Sequence, residues 1–333
     1  MSVYGVPTYL SHLRLASATG QLRQQAETAR SEVVTGRKAD LAKTLGHAAG
    51  EAHLLGKAIG DLSSYRSAIS RADLRTGAVQ SVLTDLRSSV SGLGADMSAA
   101  LARHDEAAIA TNAVVARSDL ETAFSRLNVR VEGLSVFAGD AADGPALGNV
   151  VMLVADIAAL YGAASSPAQF ETDLDFYFND PAGGFATNIY LGGAGALSGI
   201  EIDNGEVIVG AAKADEQPVK DLLRGLAVAS VAGSAPATAM RDSVLAAASK
   251  RLFEASDSLV EVQTRIGLEQ QRAGKASDRH DAEEPALTAA YNALTARDPY
   301  EAASFLQSLE AQIDAAYVLT SRLSQLTLTN YLR

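Results

Sequence analysis

Apolar residues recur every three or four positions over most of the chain, a spacing that is typical of long helices wound against partner helices. The spacing first holds from Leu62 to Leu93 and then again from Ile109 to Val131. After a central interruption it returns within about 235–278. We therefore predict three long helices, with the turn between the first two near 92–105, and expect their seams to build an intramolecular bundle.

The two chain ends carry narrower apolar stripes. The N-terminal stripe stops at Gly36, and the C-terminal one follows Asp298, Pro299 and Glu301, which are typical of N-cap, N1 and N3 of a helix. Such helices are only marginally stable alone in water, so we expect them to pack on each other and on neighbouring subunits. The predicted assembly interface consists of Leu15, Leu22, Ala29, Val33, Phe305, Leu309, Ile313, Ala316, Leu323 and Leu326.

A central segment follows a different pattern, with apolar residues at alternate positions between Phe185 and Gly210. We predict strands over 188–191, 200–202 and 207–209, the last two joined by the turn signal Asp203-Asn204-Gly205. Predicted helices over 147–161, 167–178 and 215–231 complete a small α+β module.

The predicted fold class is therefore mainly α: a long antiparallel helical bundle or coiled coil formed by the N- and C-terminal segments, with a small inserted α+β domain. We predict a terminal coiled-coil domain from 1–45 plus 286–333, a helical bundle domain from 46–138 plus 234–285, and an acidic outer domain over 139–233.

Charge is concentrated in that inserted segment. The whole chain has 28 Lys and Arg against 39 Asp and Glu, a formal charge of −11, which argues against a nucleic-acid partner. Residues 139–233 hold 13 acidic and 3 basic residues. We interpret them as a solvated exterior, whereas the near-neutral ends can pack together without like-charge repulsion.

Residues suited to catalysis or to metal binding are few. We therefore predict no catalytic, cofactor-binding or metal-binding residues and no enzyme activity. There is no Cys, and no two of the five His have the four-residue spacing of a helical metal clamp. The glycines at 193, 195 and 199 do not fit a nucleotide loop. An enzyme housed in the central module stays open as an alternative. No apolar run reaches a membrane span, and the first residues lack the pattern of a cleaved signal peptide.

Several short stretches resemble the bacterial flagellin family. The sequence from Glu32 to Lys38 is similar to the stretch that closes the family's first helix, and Ala49-Gly50 matches the Ala-Gly that follows it. The sequence from Asp298 to Ala303 resembles the opening of the family's terminal helix. These motifs occur in the family's order and cover both ends, about two thirds of the chain.

Three further stretches look more like the hook-associated members of that family, namely 133–139, 221–227 and 323–332. The resemblance implies a structural subunit that joins the flagellar hook to the filament, exported to the cell exterior without a cleaved signal. It implies as partners hook-associated protein 1, flagellin, copies of the chain in a ring, the flagellar export apparatus and an export chaperone. Filament flagellin and a generic coiled-coil adaptor are the alternatives.

Overall fold

The computed structural model describes the backbone of residues 9–329 and the side chains of residues 13–322. It is mainly helical with two small hairpins, which confirms the predicted fold class. The helices are α1 (Tyr9–Thr35), α2 (Leu41–Leu45), α3 (Ala49–Ala102), α4 (Glu106–Leu127), α5 (Val150–Ala163), α6 (Pro167–Asn179), α7 (Gln217–Ala232), α8 (Ala239–Thr295) and α9 (Pro299–Thr329). The strands are β1 (Arg130–Val131), β2 (Leu134–Ser135), β3 (Ile200–Asp203) and β4 (Glu206–Ile208).

The chain forms two compact units. One is the continuous segment Ser64–His280, and the other combines the two chain ends, up to Ser63 and from Asp281 onward. Helices α3 and α8 each contribute residues to both. The division into three domains stays a prediction.

The larger unit contains the principal hydrophobic core. Apolar residues of α3, α4 and α8 at the predicted seam positions are buried there together with residues of α5, α6 and α7. Helix α7 packs against both α4 and α5 and is buried on nearly all sides. Its Arg224 is 2% exposed and lies 2.6 Å from Glu171 and 3.1 Å from Asp175, so the charge is buried with partners.

The second hairpin forms where its turn signal predicted. Strands β3 and β4 pair antiparallel with Ile200 opposite Ile208, and Gly205 takes the left-handed conformation, φ +73°, that the tight turn requires. The hairpin's inward residues Ile202 and Ile208 join a second buried cluster with small residues of α3 and α8.

Three local predictions were wrong. The segment predicted as a strand over 188–191 begins inside a π-helical turn, Phe185–Ile189, in which both end residues are buried. Helix α8 continues past the predicted end near Asp278 to Thr295, with Pro285 inside it. Helix α4 ends at Leu127 because β1 and β2 follow, joined by a turn with positive φ at Glu132 and Gly133.

Candidate assembly surface

The chain-end unit is built around the pair α1 and α9, which pack along each other. Helix α1 ends at Thr35 because Gly36 turns the backbone into the left-handed region, φ +66°. Helix α9 begins at Pro299, and the Asp298 carboxylate accepts hydrogen bonds from the amides of Tyr300 at 2.8 Å and Glu301 at 3.0 Å. The predicted N-cap is therefore confirmed.

Backbone hydrogen bonds fasten the turn after α1 to the turn before α9. The amide of Arg297 donates to the carbonyl of Gly36 at 3.0 Å, and the amide of Lys38 donates to the carbonyl of Thr295 at 2.9 Å. The Lys38 ammonium donates to the carbonyl of Leu294 at 3.0 Å. A lysine near a helix C-terminus satisfies a carbonyl that has no partner within the helix. These contacts fix where the two helices leave the turn.

A buried carboxylate supports the same turn. The Glu32 side chain is only 11% exposed and accepts a hydrogen bond from the amide of Ala39 at 3.0 Å. Its other oxygen lies 3.7 Å from Arg297 Nε. A charge taken out of water needs such partners, because an unpaired buried carboxylate is strongly destabilising.

The predicted interface residues divide into three groups. Ala29 and Leu309 are buried, at 1% and 2% exposure. Phe305, at 44% exposure, projects largely outside the contact between the two helices. The remaining described members, all half-buried, are Leu15, Leu22, Val33, Ile313 and Ala316. The side chains of Leu323 and Leu326 lie outside the described residues, and the role of the whole set in assembly stays a prediction.

Polar contacts along the helix pair lie at its surface. Arg23 donates a hydrogen bond to the Tyr317 hydroxyl, and its guanidinium carbon lies 5.2 Å from the centre of that ring. Arg30 lies 3.7 Å from Glu310, with both side chains more than half exposed. An exposed ion pair contributes about 0 to 1 kcal/mol, so the polar contacts align the helices more than they stabilise them.

Both helices also carry apolar side chains that the pairing leaves in solvent. On α9, Tyr300 is 82% exposed, Val318 52% and Leu319 54%, and on α1, Val34 is 80% exposed. Phe305 and Leu319 are 14 positions apart, so at 3.6 residues per turn they lie about 40° apart around the helix. The sequence stripe included Phe305 and missed Leu319, which also follows the heptad spacing.

A groove of about 400 Å³ lies between the two helices. Gly20 leaves space in this region, since a β-carbon built there would meet no atom within 4 Å. The groove is lined by Leu15, Ala16, Thr19, Gly20, Arg23, Tyr317 and Thr320.

Other kinds of site find little support in the described part of the chain. Within it, no three His, Asp or Glu side chains come together in a group that could hold a metal ion. Of the five histidines, His280 is buried and stacks on Tyr65, with 5.6 Å between the ring centres. Over residues 9–329, no helix combines the length and apolar character needed to cross a bilayer.

Comparison with known proteins finds a partial match to a flagellin family model. Residues 250–332 match the family model for the bacterial flagellin C-terminal helical region, and this stretch includes all of α9. No curated protein sequence matches the chain. The resemblance to the flagellin family is thus confirmed, with the family match confined to the C-terminal quarter.

The fold is similar to that of a solved structure from Vibrio parahaemolyticus, described as a "putative flagellar hook-associated protein". The two sequences are 11% identical, and the match covers 75% of this chain and 99% of that one with a TM-score of 0.55. At this identity the likeness shows a shared fold alone.

Proposed function

We propose that this chain is a structural subunit of the bacterial flagellum that joins the hook to the filament. In this role α1 and α9 form a self-assembling axial core after the chain has been exported. Two comparisons support a flagellar role: the family match over 250–332 and the shared fold with a hook-associated protein over nearly all of that protein's length.

The observation that carries the assembly role is the apolar surface left on the helix pair. Phe305 and Leu319 stay about half exposed although α9 already has α1 as a partner. Apolar side chains that recur on one side of a helix are the ones that a neighbouring helix can cover. Helices of neighbouring subunits that cover Phe305 and Leu319 would remove them from water and offset the entropy lost when the helices are ordered.

The role implies specific partners and a location. Neighbouring copies in a ring would supply the lateral contacts, hook-associated protein 1 the contact on the hook side and flagellin the contact on the filament side. The chain would reach the cell exterior through the flagellar export apparatus with an export chaperone. In this account it is a structural molecule and not an enzyme.

Filament flagellin is the second candidate, favoured by the family match itself, since that model describes the C-terminal region of flagellins. A polymer-growth assay distinguishes the filament role from the junction role. We expect the purified chain, added to sheared filament fragments, to leave fragment length unchanged, whereas flagellin from the same cells elongates them. Continuous elongation by this chain would contradict the junction role and support the filament role.

A further inference from the structure

The turn of the β3–β4 hairpin carries the one Asn-Gly dipeptide of the chain. Of the eight Asn residues in the sequence, only Asn204 is followed directly by a glycine, Gly205. Both residues are exposed where the chain passes from β3 to β4. The backbone nitrogen of the next residue can attack an asparagine side chain, and a glycine at that position places no β-carbon in the way. Asn204 is therefore the asparagine of this chain that is most open to such an attack.

The structure leaves the attacking nitrogen accessible. Gly205 has φ +73°, and a β-carbon built on it would meet no atom within 4 Å apart from its chain neighbours. Its amide lies outside the strand pairing, which ends with Asp203 opposite Glu206. It donates instead to a Glu201 carboxylate oxygen at 3.2 Å, at the long end of the range for such bonds. The Gly205 nitrogen is therefore only weakly held.

The reaction that this arrangement permits is deamidation. The Gly205 nitrogen bonds to the side-chain carbonyl carbon of Asn204 and closes a succinimide ring. The bond from that carbon to the carboxamide nitrogen breaks, and this nitrogen leaves as ammonia with the proton that the Gly205 amide gives up. Water then opens the ring at either carbonyl. Opening at the side-chain carbonyl gives aspartate, whereas opening at the backbone carbonyl gives isoaspartate and lengthens the main chain by one carbon.

The contact between the hairpin and α8 depends on the length of this turn. On the two sides of the Asn-Gly dipeptide, carboxylate oxygens of Asp203 and Glu206 lie 2.8 and 2.9 Å from the same nitrogen, Nη2 of Arg279. A longer main chain between the two acids changes their spacing, so that one guanidinium nitrogen no longer reaches both. Turn geometry also fixes the register of the strands, on which burial of the hairpin's inward residues against α3 and α8 depends.

We infer that Asn204 is a site of spontaneous deamidation and that the isoaspartate formed there releases the β3–β4 hairpin from α8. This chemistry needs only water and is independent of the proposed flagellar role.

Incubation of the full-length protein in heavy-oxygen water at mildly alkaline pH tests the conversion, because the oxygen taken up marks reaction during the incubation. Peptide mass spectrometry measures the rate at each Asn. We expect the rate at Asn204 to lie within about tenfold of the rate in a synthetic peptide of residues 200–208, because an exposed turn restricts the backbone little. Slower conversion than this in the folded chain would overturn the inference.

Asn188 is the control within the same molecule. It is exposed in the same acidic segment, but it lies in the π-helical turn and is followed by the buried Ile189. We expect conversion there to be at least about tenfold slower than at Asn204, because Ile189 has a branched β-carbon and a fixed backbone. Equal rates at the two positions would remove the assignment of the site to the hairpin turn.

Hydrogen exchange over residues 200–208 tests the release of the hairpin. In the isoaspartate form, isolated by chromatography, we expect exchange to be about tenfold faster than in the unmodified chain, because the strands open more often. Asn204→Asp is the matched control, since it adds the charge without lengthening the main chain, and it should exchange like the unmodified chain. Equal exchange in the isoaspartate form and in Asn204→Asp would show that the hairpin is not released.

Discussion

The backbone amide of Arg297 donates a hydrogen bond to the carbonyl of Gly36 at 3.0 Å, which joins the turn after α1 to the turn before α9. This contact links residues from opposite ends of the sequence. Within the chain, the start of the C-terminal helix is therefore fixed against the end of the N-terminal one.

The conformation of Gly36 is the first feature to test. Gly36→Ala should destabilise the helix pair by about 1 to 2 kcal/mol, because a β-carbon disfavours the left-handed backbone at φ +66°. Space is not the limitation, since no atom lies within 4 Å of the added carbon. Amide hydrogen exchange over residues 9–35 would measure the change.

Gly20→Ala is the matched control for that substitution. Gly20 lies within α1 and also has nothing within 4 Å of an added β-carbon. Replacing a glycine inside a helix by alanine stabilises it by about 0.5 to 1 kcal/mol. Slower exchange in Gly20→Ala and faster exchange in Gly36→Ala are expected, and the same direction in both would contradict the account of the turn.

Two substitutions on α9 distinguish its packing on α1 within one chain from its proposed contacts with neighbouring chains. Leu309→Asp should cost about 3 kcal/mol or more, because it places a carboxylate where the side chain is 2% exposed. Phe305→Asp should cost less than about 1 kcal/mol, because Phe305 is already 44% exposed. Circular dichroism and thermal unfolding of the purified variants measure this difference.

We expect both α9 variants to fail to incorporate into flagella, Leu309→Asp because the helix pair is lost and Phe305→Asp because the contact with a neighbour is lost. Glu310→Gln, at an exposed position one residue from Leu309, is the control that should incorporate normally. Normal incorporation of folded Phe305→Asp would show that the exposed flank of α9 plays no part in assembly.

Acid should weaken the larger unit through the Glu106 carboxylate. Hydrogen bonds from Arg241, at 2.5 and 2.7 Å, hold the pKa of Glu106 below its usual value. The depressed pKa contributes stability that is present above the unfolded-state value of about 4.3 and is lost as the pH falls through the lower folded-state value. In melting curves, wild type should be more stable than Glu106→Gln at neutral pH, and the difference should shrink below about pH 4. A difference that does not change with pH would contradict this.

Limited proteolysis should cleave the chain-end unit before the larger unit. Both hydrophobic clusters identified among the described residues lie between Ala68 and Ala276, within Ser64–His280. Local opening costs least where few apolar contacts are buried. Trypsin should therefore leave a resistant fragment close to 64–280, which mass spectrometry would identify. Equal resistance of residues 9–35 would count against the marginal stability of the terminal helices.

The helical frame could be predicted from the sequence because its seams repeat with the geometry of helix packing. Leu83, Leu86, Val90 and Leu93 follow the 3/4 spacing and are all buried. The same reasoning located Gly36 and Asp298, since the end of one helix and the start of another depend on local backbone chemistry. These features depend on residues near each other in the chain.

Other features depend on tertiary contacts that a pattern does not specify. Phe185 and Ile189 are four positions apart. That spacing fits alternate positions of a strand and also one turn of a helix, and in the structure both residues are buried at the ends of a π-helical turn. The sequence also marks Phe305 and Leu309 as one stripe. Only the alignment of α9 against α1 decides that Leu309 is covered and Phe305 stays exposed.

Labelled antibody against the chain, applied to isolated hook-filament complexes, tests the central claim most directly. We expect a single band at the joint between hook and filament, absent from complexes of cells that lack the chain. Label along the whole filament, or no label on the complexes at all, would contradict the proposed junction role.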